Sequence, residues 1–136
     1  MSIDRMDWHY GGDFPEGLPN ENGGTHIGIY LAWIIKNDFV GEEHIKDDSD
    51  KVNAVKNEKM TGRDFLIEVC DEKFWEDDLN DEGLKFTQYY YDKYYINDYI
   101  DTLCKETEVY GAADTWDNYH KLAPRIDKRY DEWKKA

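Results

Sequence analysis

Apolar positions follow a helical period along most of this chain. In THIGIYLAWIIK, Ile27, Leu31, Ile34 and Ile35, with Tyr30, recur at three- and four-residue steps and predict a helix over about 25–36. Thr25 stands where an N-cap belongs, its hydroxyl free to accept a first-turn N–H. Asn37-Asp38 reads as the stop, and Gly41 keeps the chain in a turn. Asp48 or Ser49 opens a short helix that buries Val52 and Val55. Thr61 opens another, on which Phe65, Leu66, Val69, Cys70 and Phe74 share a face. From about Asn80 to Leu103 the pattern predicts the longest, central helix, with Phe86, Tyr89, Ile96, Ile100 and Leu103 as one stripe. Asp114 or Thr115 caps a last helix, which Pro124 is expected to kink or split. Basic residues crowd its end, where the helix dipole favours them.

Residues 1–24 lack that period. Gly11, Gly12, Pro15, Gly17, Pro19, Gly23 and Gly24 punctuate an irregular stretch. β-like runs such as YYY are short and sit inside helical patterns. The expected fold is therefore all-α, an irregular bundle of four to five helices with a long, ordered N-terminal loop. The 136 residues suit a single domain over 1–136, with 1–24 packed on the bundle as an extended loop.

Charge narrows the range of partners. The formal net charge is −14, from 31 acidic and 17 basic side chains. Nucleic-acid binding needs a basic face to neutralise phosphates, so it is not expected, and neither is an anionic membrane surface. No charged-then-apolar leader opens the chain, and the longest apolar run, 27–35, is too short to span a bilayer. Two cysteines, Cys70 and Cys104, make no disulfide framework, and the expected setting is the cytoplasm with reduced thiols.

Charge and aromatics gather in one segment. Between Asp71 and Asp101, ten carboxylates oppose three lysines, half of the chain's net charge. Tyr89, Tyr90, Tyr91, Tyr94, Tyr95 and Tyr99 lie in the same predicted helix and point all round it. Either the helix is buried on most sides, or it offers an acidic, tyrosine-rich surface to a cationic protein. On the second reading, Asp77, Asp78, Asp92 and Asp98 supply charge, and Tyr90, Tyr91, Tyr94 and Tyr95 supply contact.

His9, Asp13 and His26, with Glu21 nearby, are the other candidate constellation, because histidine and carboxylate ligate zinc or iron. Their spacing meets no metal template, and NGGTHIG lacks the lysine of a phosphate loop. No catalytic motif and no cofactor template is present. Arg63, Arg125 and Arg129 read as internal ion-pair partners, with a small anionic ligand as the alternative.

Three stretches, WHYGGDFPEGLPNENGGTHIGIYLAW, MTGRDFLIEVCDEKFWEDDLNDEG and DTWDNYHKLAPRIDKRYDEWKK, resemble a family of small bacterial proteins of unknown function. The resemblance covers nearly the whole chain. It implies a stand-alone cytosolic domain of the kind that looks like an immunity partner in interbacterial toxin systems. The expected function is thus non-enzymatic: an immunity protein, monomer or homodimer, that neutralises a cognate basic toxin such as a nuclease. The alternative is a metal- or small-anion-binding enzyme built on His9, Asp13 and His26.

Overall fold

The computed structural model describes residues 2–136 and is mostly helical. Its helices are α1 (Asp7–Tyr10), α2 (Thr25–Lys36), α3 (Glu42–Asp47), α4 (Ser49–Lys56), α5 (Gly62–Glu68), α6 (Asp81–Tyr90), α7 (Ile96–Leu103) and α8 (Trp116–Lys135). A π-helical turn, Tyr91–Tyr95, joins α6 to α7 without a break. Counting that run as one still gives seven helices among the described residues, more than the four to five expected, because the short α1 and α3 add two. The N-terminal segment also departs from expectation. It holds a strand, β1 (Ser2–Arg5), besides α1 and a 3-10 turn, Asn20–Gly24.

Strand β1 pairs antiparallel with β2 (Lys73–Trp75) in a two-stranded ribbon. Asp4 sits opposite Phe74 and Arg5 opposite Lys73, but the register shifts between Ser2 and Asp4. Such shifts re-aim side chains, and Asp4 is turned inward and buried. The turn before β2 uses two left-handed residues, Asp71 and Glu72, at φ 53° and 64°. It brings the Glu72 carbonyl to the Met6 N–H at 3.0 Å.

Helix α2 is the centre. Every residue from Thr25 to Ile35 is buried, as expected for a helix apolar nearly all round. Against α5 its backbone is in direct contact, since a Cβ on Gly28 would strike the Arg63 backbone and one on Gly62 would strike the Gly28 carbonyl. Elsewhere Tyr30 hydrogen-bonds Thr87 at 2.8 Å and packs among Phe74, Tyr90, Tyr91 and Tyr95. The Trp33 indole donates to Asp127 of α8 at 2.8 Å.

The π turn changes which residues the central helix buries. One extra residue per turn rotates everything after it by about 100° relative to an α-helical phase. The predicted stripe is kept at Phe86 and, half-buried, at Leu103, but not between them. Tyr90, Tyr91, Tyr95 and Tyr99 face the core, while Tyr89, Ile96 and Ile100 are each more than a third exposed.

Two predicted caps are in place: Thr61 accepts from Asp64 N–H at 3.1 Å and Thr115 from Asn118 N–H at 3.2 Å, and Asn80 caps α6 in the same way, accepting from Gly83 N–H at 2.9 Å. Thr25 is not a cap. It lies inside α2, and its hydroxyl accepts from Arg63 Nη1 at 3.1 Å. Helix α8 runs through Pro124 unbroken. Pro124 lies on its exposed side, where a carbonyl left without its N–H partner can meet solvent.

Asp98 ties α7 to α8. It is buried, and all four of its acceptor positions are used: Tyr90 Oη at 2.7 Å, Arg125 Nη1 at 3.0 Å, and Arg129 Nε and Nη2 at 3.0 Å each. Burial raises its pKa, but the Arg129 and Tyr90 hydrogen bonds outweigh that and hold the carboxyl below its ordinary value. Asp98→Ala should cost about 3 kcal/mol in urea unfolding, the low end for a broken buried pair because both guanidinium groups reach water. Asp92→Ala, on the exposed side of the π turn, should stay within about 0.5 kcal/mol. Gly62→Ala should cost about 1–3 kcal/mol or more by forcing α5 off α2, measured the same way.

Candidate functional site

The cluster forms where β1, α1 and α2 meet the π turn. His9 comes from α1, His26 from the first turn of α2, and the carboxylate between them is Asp4 of β1. His9 Nε2 lies 2.8 Å from Asp4 Oδ1, and His26 Nε2 lies 3.4 Å from Oδ2. The two rings stand edge to face, centroids 4.4 Å apart. Tyr91 donates to Asp4 Oδ2 at 2.7 Å, and Tyr110 Oη is 2.7 Å from His9 Nδ1. A carboxylate only accepts, so His9 Nε2 donates. The neutral ring then accepts from Tyr110 at Nδ1. Tyr95 donates to the His26 carbonyl at 2.5 Å. A cleft of about 180 Å³, lined also by Asp92, Tyr95 and Ile96, reaches the cluster from the surface.

Burial alone would raise the Asp4 pKa. The contacts from His26 and His9 more than offset it, leaving the carboxyl well below the usual range. Burial pushes His26 down, which favours the neutral ring. His26 Nδ1 is buried with no hydrogen-bond partner among the described residues.

Two members of the sequence-based constellation, His9 and His26, are thus brought together. Asp13 is exposed in the loop and takes no part, and Glu21 is exposed as well. Asp4 had no readable signal: it sits in a short polar stretch, and only pairing with a distant strand turns it inward. Trp8, which stands next to His9 in WHYGG, does not anchor the loop, being 55% exposed. His9 and Tyr10 do so, the latter donating to Glu72 at 3.1 Å.

The acidic tyrosine surface does not form as expected. Tyr90, Tyr91 and Tyr95 are buried, each with its hydroxyl on an internal acceptor. Tyr94 is half-buried, with the Arg129 guanidinium 5.1 Å from its ring centre. Asp98 is the internal clamp, and Asp78 is buried too. Its carboxylate takes His44 Nε2 at 2.7 Å and the Trp75 N–H at 2.7 Å. Asp77 and Asp92 alone of the four predicted carboxylates are exposed. The arginines are internal partners, as expected: Arg63 pairs with Asp114 at 3.2 Å, and Arg125 and Arg129 pair with Asp98.

The family described as a domain of unknown function (DUF7832) matches residues 2–112. The chain belongs to this family. The DUF7832 match spans Asp4, His9, His26, Tyr91 and Tyr110 and ends before α8. Curated proteins and solved structures give no match. Among the described residues no helix is long and apolar enough to cross a membrane.

A second histidine cluster joins α3 to the segment before α6. His44 bonds Asp78 through Nε2 and Asp48 through Nδ1 at 3.0 Å, and the Cys70 thiol lies 3.8 Å from Asp78. Burial, then Asp78, pushes the Cys70 thiol far up, so it stays protonated. The Asp78 hydrogen bond raises the His44 pKa above its ordinary 6.5, burial opposes it, and Asp48 adds to the rise. A raised native pKa gives stability that is complete below the unfolded value and is lost as pH rises through the native one. Stability through this group should therefore be complete well below pH 6.5 and fall as pH rises above it. His44→Gln should flatten that part of the urea-midpoint profile.

Proposed function

We propose that this chain is a non-enzymatic binding protein of the immunity type, which occludes a basic bacterial toxin. The observation that carries this reading is a notch of about 180 Å³ between the ribbon and the central helix. Ile3 and Leu84 give it an apolar lining, and Glu76 and Asp92 stand at it with their carboxylates. A lysine or arginine suits such a place, its aliphatic stem on the floor and its charge at the rim. Asp92 and Tyr91 also line the neighbouring cleft, where Ile96 is exposed, and Ile100 is exposed one turn further on. Trp75, next to Glu76 and Asp77, is exposed as well. Aromatic and aliphatic anchors beside carboxylates are the usual make-up of a contact with a cationic protein.

The net charge of −14 supports the same reading, because it speeds encounter with a basic surface. A nuclease toxin presents such a surface in its active cleft. The contact set is smaller than the sequence suggests: Asp77 and Asp92 for charge, with Trp75, Ile96 and Ile100 in place of the buried tyrosines.

The test is survival of bacteria that express the toxin gene neighbouring this one. Wild-type chain should protect them. Asp77→Lys/Asp92→Lys should lose protection at unchanged protein level, and the wild-type association rate should fall steeply with added salt. Full protection by the double variant would overturn the proposal.

A further inference from the structure

We infer that Asp4, His9 and His26 form a binding site for a divalent transition-metal ion of the zinc class, open on the cleft side. The three donor atoms lie within 4.8 Å of one another. Zinc bound at its usual distances holds neighbouring ligand atoms about 3.4 Å apart. His26 Nε2 and Asp4 Oδ2 already stand at 3.4 Å, and His9 Nε2 needs only a sub-ångström retreat from Oδ1, at 2.8 Å. Two imidazoles select zinc, cobalt or iron over magnesium and calcium, which prefer oxygen.

A purely structural network would leave the site otherwise. Buried ring nitrogens in proteins are normally hydrogen-bonded. His26 is fully buried, yet its Nε2 reaches Asp4 only at 3.4 Å, beyond good hydrogen-bond length. A metal ion held by these three residues would replace that stretched contact by a bond to the Nε2 lone pair, with the ring proton of His26 on Nδ1.

The outer partners fit a metal site. Ligating histidines are oriented by a partner on the other ring nitrogen, and ligating carboxylates are themselves hydrogen-bonded. Tyr110 Oη does the first for His9 and Tyr91 Oη the second for Asp4. A hydroxyl both donates and accepts, so Tyr110 holds His9 in the tautomer that frees Nε2 for metal as readily as in the metal-free one. The cleft lined by Asp92, Tyr95 and Ile96 supplies an entry path and room for a fourth, exogenous ligand such as water.

The test is titration of the chelator-stripped full chain, with Zn²⁺ by calorimetry and with Co²⁺ by visible absorption. One equivalent should bind. Tyr110→Phe should weaken binding about 10- to 100-fold, and His9→Ala, checked for folding by circular dichroism, by more than that. Asp13→Ala should change nothing. No uptake, or unchanged affinity in folded His9→Ala, overturns the site. If His9→Ala does not fold, Tyr110→Phe and the wild-type Co²⁺ spectrum decide. Unchanged affinity in Tyr110→Phe overturns the site, as does a thiolate charge-transfer band, which would mark the His44–Cys70–Asp78 cluster instead. Charge reversal at Asp77 and Asp92 alters none of the donors, so the metal site and the toxin-binding reading fail independently.

Discussion

Helix α2 has no side left for water, and that constraint organises the rest. A helix buried from Thr25 to Ile35 must be covered all round, and each neighbour does so by a different means. Against α5 the cover is backbone on backbone, available only because Gly28 faces Gly62. Toward the central helix it is a wall of aromatic rings around Tyr30. Toward α8 it is the Trp33 indole bound to Asp127. At its N-terminal end the cover is the ribbon, through Asp4.

The aromatic wall depends on the π turn. A regular helix through Tyr91–Tyr95 would carry the Phe86 stripe onward to Ile96 and Ile100 and leave Tyr95 and Tyr99 outside. The extra residue reverses that choice. It places polar hydroxyls inside, and the cost is met by giving three of them strong acceptors: Asp98, Asp4 and the His26 carbonyl. The same turn leaves two isoleucines on the surface, so the interior of the tyrosine helix and the exposed apolar face have one cause.

This explains what the sequence could and could not reveal. Apolar period located α2, α4, α5 and α8 and both ends of the central helix, and Thr61 and Thr115 were readable as caps because capping is local. The phase change at Tyr91 was not readable, since a run of tyrosines fits either face. Strand β1 was invisible because four residues pair with a partner far along the chain. Asp4 was missed for that reason, and Asp13, nearer in sequence to a histidine, took its place. His9 and His26 were recognisable from chemistry alone. Asp78 and Asp98 looked like surface charge because counting carboxylates does not reveal which have partners inside.

The Asp4 cluster is closed by long-range contacts. Asp4 meets Tyr91 across 87 residues and His9 meets Tyr110 across 101. Closing such loops costs chain entropy that only a formed docking surface repays. A ribbon of four and three residues has no stability of its own. The ribbon therefore depends on the helical core it docks against. In reverse, lifting β1 and α1 is the least costly local opening that exposes the two histidines, and it leaves α2, α5 and α8 folded. Amide exchange in the first ten residues then reports on the integrity of the cluster separately from the stability of the bundle.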